Sequence, residues 1–353
     1  MNIKKAKLAL KAAYKADLPI ILFGAPGLGK SSAVRQFAEE AAKEYGEPFG
    51  CILFKTSTAS PSEVGDLKWV TTNSEGIAEV VNAPQSWIPT EESIAKGKFP
   101  SRGCIFIDEL LDGPLMIQSI LQGLTLDREL GSVKLAKGWL PIGASNRRSD
   151  NAAAGRMSTA LSRRFIHVTI ESDVDVTVEY ARSNGWYSPI AAFLRFRPAL
   201  LNTFEQIKKG QGADQVFSCE ASYENLSKFL LANDNLPPEI RLELISGIIG
   251  KGVAAEFHAF ERIYKDLPDM KVLKDNPHTY PIPTEPSVLY AVLGSLLDGI
   301  TPREFERVWP FIDRLPQEFC VSFVTDAYKI TKGAIDKTKS YDEYVVKFPH
   351  TAF

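Results

Sequence analysis

Two short stretches of this 353-residue chain hold the residue types and spacings that could do chemistry: Gly24 to Ser32 and the pair Asp108–Glu109. Gly24, Ala25, Pro26, Gly27, Leu28, Gly29, Lys30, Ser31 and Ser32 contain the pattern G-x-x-x-x-G-K-[ST]. In such a loop the glycines let backbone N–H groups turn inward around phosphate oxygens, Lys30 reaches the β- and γ-phosphates, and Ser31 ligates Mg²⁺. Pro26 and Gly27 stiffen and sharpen the turn. The second stretch is CIFIDEL, in which four apolar residues deliver Asp108 and Glu109 to the end of a strand. Asp108 would hold Mg²⁺ through water and Glu109 would polarise an attacking water. Asn146, which closes the run GASN, is either an ordinary turn former or an amide that orients that water or contacts the γ-phosphate. Taken together, these residues imply ATP hydrolysis with ATP and Mg²⁺ as ligands.

Such residues must be held by buried strands that end in loops. Five short apolar runs punctuate the first half: PIILFG, CILFKTS from Cys51, CIFIDE from Cys104, PIGASN from Pro141 and FIHVTI from Phe165. They read as parallel strands buried on both faces, with the fourth starting near Ile142 because Pro141 lacks a ladder donor. Helical patterns separate several of them: Ser32 to Tyr45, Leu115 to Leu126 and Ala152 to Arg163. The expected fold is therefore α/β, a nucleotide-binding core with its ligand at the carboxyl ends of the strands.

Beyond Glu171 the pattern is helical, over Val174–Trp186, Pro189–Phe196, Tyr223–Leu231 and Pro238 to about Ile263. Leu267 to Pro286 carries five of the 22 prolines and reads as an extended surface connector, followed by three more helices. In the first of these, Leu289, Val292, Leu293 and Leu296 have the spacing of a packing face. The expected organisation is a core over 1–171 with a β-hairpin insert near 64–88, an all-α lid over 172–266, and the connector with a helical C-terminal region over 267–353.

Composition narrows the function classes. With 41 basic against 43 acidic residues there is no electrostatic footprint for non-specific nucleic-acid binding. Cys51, Cys104, Cys219 and Cys320 are far apart without C-x-x-C spacing, so the expectation is buried free thiols in a reducing, cytoplasmic setting and no structural metal. Lys11, Lys15 and Asp17 interrupt what could pass for a signal peptide, and no segment has the length to cross a membrane.

GAPGLGKS, CIFIDEL, GASN and ALSRRF occur in the order seen in AAA+ ATPases, and the chain resembles their MoxR-like group within the helix-2-insert clade. SEVGDLKWVTTNSEGIAEVVNAPQSWIP is similar to that clade's hairpin interruption of the second helix. RMSTALSRRFIHVTIE, FLRFRPALL, GIIGKGVAAEFHAF and RLPQEF continue the resemblance over nearly the whole chain. It implies a five-stranded parallel P-loop core, an all-α lid, and a ring, commonly a hexamer, with ATP between subunits. It also implies a chaperone or remodelling output on a partner, by family precedent a von Willebrand factor A protein. An arginine just before the last strand would reach the neighbour's γ-phosphate; Arg164 matches best, with Arg163 and Arg156 as rivals.

Relatives often open a lid helix with Pro-Arg-Ser-Trp-Glu, where this chain has Glu220, Ala221, Ser222, Tyr223 and Glu224. Ala221 cannot replace that sensor arginine, which leaves Arg241, Arg195 or Arg197 as substitutes. Trp69 in the hairpin is either a scaffold contact or a grip on a partner. Two other readings stand beside remodelling: an AAA+ motor subunit on nucleic acid, and a nucleotide-gated structural adaptor with little turnover. Near-neutral charge argues against the first, and the presence of Glu109 against the second.

Overall fold

The computed structural model describes residues 1–351 apart from 65, 66, 73, 84, 148, 149, 151–156, 209–215 and 234. The chain forms two compact units, Met1–Ser172 and Asp173–Phe353. The first runs α1 (Ile3–Lys15), β1 (Ile20–Phe23), α2 (Lys30–Tyr45), β2 (Phe49–Lys55), α3 (Pro61–Val64), β3 (Leu67–Thr72), β4 (Ala78–Ala83) and α4 (Glu91–Ala95). It continues through β5 (Arg102–Asp108), α5 (Leu115–Leu126), β6 (Glu129–Leu130), β7 (Val133–Lys134), β8 (Trp139–Ser145), α6 (Thr159–Ser162) and β9 (Ile166–Thr169).

Five strands make one parallel sheet in the order β2-β5-β8-β1-β9. This is the α/β architecture, a five-stranded parallel sheet with helices, that the sequence leads one to expect. The strands all point the same way, so Phe23, Lys55, Asp108 and Ser145 share one edge of the sheet. Burial on both faces holds for the inner strands, where Cys104–Ile107 and all of β8 are buried. It does not hold at the edges. In β2 Cys51, Leu53 and Lys55 are exposed, and in β9 Ile166, His167 and Thr169 are, because an edge strand is covered on fewer sides. The helices follow from their apolar spacing: α2 buries Ala33, Val34, Phe37, Ala38 and Ala41, and α5 buries Ile117, Leu121 and Leu124.

The fourth core strand starts at Trp139 and not at Ile142. Pro141 lies inside it, opposite Ile105 of β5. The other neighbour, β1, begins only opposite Ile142, so at Pro141 the strand has a ladder on one side alone and a missing donor is tolerated. The helix expected over Ala152–Arg163 falls partly outside the described residues; what is described is α6, capped by the Ser158 side chain on the Leu161 N–H. β3 and β4 pair antiparallel from Leu67↔Ala83 to Thr72↔Ala78, with Val70, Ile77 and Val80 exposed.

The second unit is helical: α7 (Val174–Ser183), α8 (Ser188–Phe196), α9 (Phe204–Lys208), α10 (Glu220–Ala232), α11 (Pro238–Ile249), α12 (Lys251–Lys265), α13 (Met270–Asp275), α14 (Pro286–Leu297), α15 (Pro302–Ile312), α16 (Gln317–Ile330) and α17 (Lys339–Lys347). The single helix expected from Pro238 to Ile263 is two. Gly250, at φ 86°, breaks it with a backbone conformation other residues rarely adopt, and a Cβ there would lie 2.9 Å from the Val216 carbonyl oxygen. The stretch Leu267–Pro286 is not a plain surface connector. It contains α13, whose Leu273 is fully buried, and Leu267, Met270, Tyr280 and Ile282 pack on the same apolar cluster as α14 to α17. Four α-helices follow it instead of three, and the expected packing face of α14 is buried at Leu289, Val292, Leu293 and Leu296. No helix among the described residues is long and apolar enough to cross a membrane.

Candidate phosphate-binding site

β1 enters a tight turn whose glycines have distinct reasons to be there. Gly27 and Gly29 both sit at φ 78°, in the left-handed region. At Gly24 the limit is space: a Cβ would lie 2.9 Å from Leu28 Cδ1 and 3.0 Å from the Ile170 carbonyl oxygen, and the Gly24 N–H donates to Ser145 O at 3.3 Å. Gly24→Ala is therefore expected to cost about 1–3 kcal/mol of stability by overpacking against main chain, checked by denaturant unfolding. Leu28 is buried and pins the loop, while Pro26, Gly27 and Ser32 keep surface. Gly29 is the N-cap of α2 and offers no side-chain cap, which leaves the N-terminus of a 16-residue helix facing the turn.

Lys30 and Ser31 open that helix and point toward two other strand ends. The Lys30 ammonium donates to Gly24 O at 2.7 Å, Ala25 O at 2.9 Å and Asn146 Oδ1 at 3.0 Å. Burial pushes its pKa down to about 8, against the upward pull of Asp108 and, more weakly, Asp150. Ser31 Oγ donates to Asp108 Oδ2 at 2.8 Å. The neighbouring residues Lys30 and Ser31 of α2 thus make two hydrogen-bonded pairs, one with Asn146 at the end of β8 and one with Asp108 at the end of β5.

Glu109 stands next to it on a backbone at φ 56°, an uncommon conformation for a residue with a side chain and one found often at functional sites. Several bonds hold it there: its N–H reaches Asp108 Oδ1 at 3.0 Å, its carbonyl accepts from the Thr56 hydroxyl and from the Asp112 N–H at 2.9 Å, and Leu110 N–H is tied to Ala144 O at 3.0 Å. Its carboxylate accepts a hydrogen bond from Ser57 Oγ and lies 4.0 Å from Lys55 Nζ. Lys55, Thr56 and Ser57 are not among the expected site residues; the register of β2 against β5, which sequence spacing does not show, places them beside the acidic pair. Asp112 was missed too. Burial and the Glu109 charge hold its carboxyl above the usual range, so three carboxylates crowd this corner.

The two arginines before β9 are not part of this group. Arg164 Nη1 donates to the Gln122 carbonyl on α5 at 3.2 Å and is half-buried, whereas Arg163 is exposed and its N–H closes the C-terminal turn of α6. Neither makes a hydrogen bond or ion pair with the loop or the acidic pair among the described residues, and Arg156 lies outside them.

In the helical unit Ala221 is exposed in the first turn of α10. The bases considered in its place are committed within that unit: Arg195 to buried Asp326 and to Asp175, Arg241 to buried Glu261 at 2.7 and 2.5 Å, and Arg197 to Glu256 at 2.6 Å. Each would have to give up an ion pair to sense a phosphate.

Uncapped N–H groups, a turn in which Gly24, Gly27 and Gly29 carry no Cβ, and a lysine between carbonyls fit a polyphosphate. The Ser31 hydroxyl and Asp108 carboxylate are hard oxygen donors that fit Mg²⁺, which keeps water and phosphate oxygens as its other ligands. No group of three His, Cys, Asp or Glu suited to a metal occurs among the described residues.

No family model matches the chain, and no curated protein does. Among solved structures it is similar to a RuvB mutant from Thermotoga maritima, at 15% identity over 98% of this chain and 86% of that one, with a TM-score of 0.33. It is also similar to NtrX from Brucella abortus in complex with ADP, at 13% identity over 99% and 68%, with a TM-score of 0.37. Likeness of that depth carries no functional argument.

Proposed function

We propose that the chain is an ATPase whose site is the loop Gly24–Ser32 with Asp108, Glu109 and Asn146. The observation that carries this reading is that the adjacent Lys30 and Ser31 bond to the ends of two different strands, at Asn146 and Asp108, beside a glutamate held at positive φ. Lys30 would exchange its two loop carbonyls for phosphate oxygens of ATP. Ser31 and Asp108 would hold Mg²⁺, which when bound neutralises phosphate charge. Glu109 would take the proton of the attacking water, and Asn146 would orient that water or the γ-phosphate.

The lysine makes a pH test available. Phosphate favours the ammonium form, so its pKa in the complex lies above the value of about 8 in the free protein. Affinity should then be nearly flat below that pH and weaken above it, by up to about tenfold per pH unit until the pKa of the complex is reached. Calorimetric titration of ATP across this range should show proton uptake growing with pH. A constant affinity through pH 9.5, about 1.5 units above the free lysine, would remove Lys30 from the phosphates.

The further reading rests on the sequence resemblance: a MoxR-type remodelling factor acting as a ring, probed with a von Willebrand factor A-type partner as the first candidate. The exposed apolar residues Val70, Ile77 and Val80 on the hairpin support a contact surface, and the near-neutral charge disfavours nucleic acid. The test is native mass measurement and affinity capture of Glu109→Gln with ATP. A monomer with ATP bound, retaining no other protein, contradicts both ring and remodelling while leaving ATP binding standing.

A further inference from the structure

Cys51 and Cys104 are far apart in sequence but adjacent in the sheet. β2 and β5 pair in parallel with Cys51 opposite Cys104, so the two side chains leave the sheet on the same face. Neighbouring strands are about 4.8 Å apart, inside the window of about 4.4–6.8 Å between Cα atoms that a disulfide spans. Their surroundings differ. Cys51 is exposed on the edge strand, whereas Cys104 is fully buried in the second strand.

The same contact makes the pair unequal in acidity. A hydrogen bond from the Cys104 thiol, with help from the nearby Arg35 charge, brings Cys51 below the usual thiol range. Contact with Cys51 and burial hold Cys104 well above it. An accessible thiol with thiolate character beside a buried thiol is the arrangement of an attacking and a resolving cysteine. Cys219 and Cys320 have neither feature: both are buried, and burial raises both.

We infer that Cys51 is an oxidation site for small hydroperoxides and that Cys104 is its resolving thiol, so that the chain forms a reversible β2–β5 disulfide. In the first step the Cys51 thiolate attacks one peroxide oxygen: an S–O bond forms, the O–O bond breaks, and the departing oxygen leaves as an alcohol, or as water from hydrogen peroxide, after taking a proton. In the second, the Cys104 sulfur attacks the Cys51 sulfenic sulfur. The S–S bond forms, the S–O bond breaks, and hydroxide leaves as water with the Cys104 proton. Two electrons pass from the thiol pair to the peroxide, and a dithiol reductant reverses the change. The bridge would join the strands that end at Lys55 and Asp108, next to the groups that hold Glu109.

The test is hydrogen peroxide treatment of the whole folded chain, followed by peptide mapping without reduction. The expected product links Cys51 to Cys104, lacks two hydrogen atoms, and returns to the thiols with dithiothreitol, while Cys219 and Cys320 stay reduced. Cys104→Ala, which keeps the buried site apolar, should accumulate several-fold more Cys51 sulfenic acid trapped by dimedone than the wild type. Cys51→Ser should leave Cys104 unmodified. Oxidation of wild-type Cys51 to sulfinic acid with Cys104 still reduced, or equal dimedone trapping in wild type and Cys104→Ala, would overturn the inference.

Discussion

Glu109→Gln is expected to bind ATP within a few fold of wild type and to lose about 10²–10⁴-fold in turnover, the range for removal of a general base. Glutamine keeps the size of the side chain and can still accept from Ser57, so the positive-φ turn, its bonds from Thr56 and Asp112, and the neighbouring bond from Leu110 N–H to Ala144 O should persist. What is lost is the capacity to take a proton. The substitution also relieves the crowding of three carboxylates, so the fold should be no less stable. Phosphate release under saturating ATP and Mg²⁺ measures the loss, and equilibrium binding shows whether the site survives. Turnover within threefold of wild type would place the base elsewhere, with Asp112 the first residue to test, because it stands beside Glu109 with a raised carboxyl pKa.

The second large effect concerns the arginines before β9. If ATP is shared between subunits, a guanidinium from the neighbour neutralises charge growing on the transferred phosphoryl group, a contribution of about 10³–10⁵ in rate. Arg164 is the better placed of the two, since the Gln122 carbonyl orients its guanidinium and leaves donors over, whereas Arg163 caps the C-terminus of α6, where a cation is favoured by the helix dipole alone. Arg164→Ala should bind ATP yet hydrolyse it at least about 10³-fold more slowly, and Arg163→Ala should stay within a few fold. Mixing Arg164→Ala with Lys30→Ala should restore part of the activity, because some interfaces then pair an intact finger with an intact loop. The reverse order would move the role to Arg163. No rescue despite co-assembly would remove action across the interface.

How far the sequence carried depends on how local each feature is. The glycine turn between β1 and α2 was legible because its pattern is contiguous, and the strand ends of β5 and β8 were legible because apolar runs stop at polar residues. The hold on Glu109 was not. It requires Lys55 and Ser57, which only the register of β2 against β5 brings beside the acidic pair. The same register, and no sequence spacing, makes Cys51 and Cys104 neighbours. Pro141 misled because its cost depends on where β1 begins, a fact about another strand. Gly250 could have been read: glycines at 247, 250 and 252 were a signal for a break that the apolar periodicity on either side concealed. The prolines of 267–286 marked extended chain, but Leu273, Tyr280 and Ile282 marked burial, and the structure reconciles them with a short helix packed on the apolar cluster.

The central claim is that one cluster binds nucleotide through Lys30 and cleaves it through Glu109. It is tested most directly by measuring bound ATP and released phosphate side by side for wild type, Lys30→Ala and Glu109→Gln, each first shown to be folded. Lys30→Ala should lose both, since it removes the cation that meets the phosphates, while Glu109→Gln should keep bound ATP and lose phosphate release. Equal loss of ATP binding in the two variants, or wild-type phosphate release from Lys30→Ala, would contradict the account.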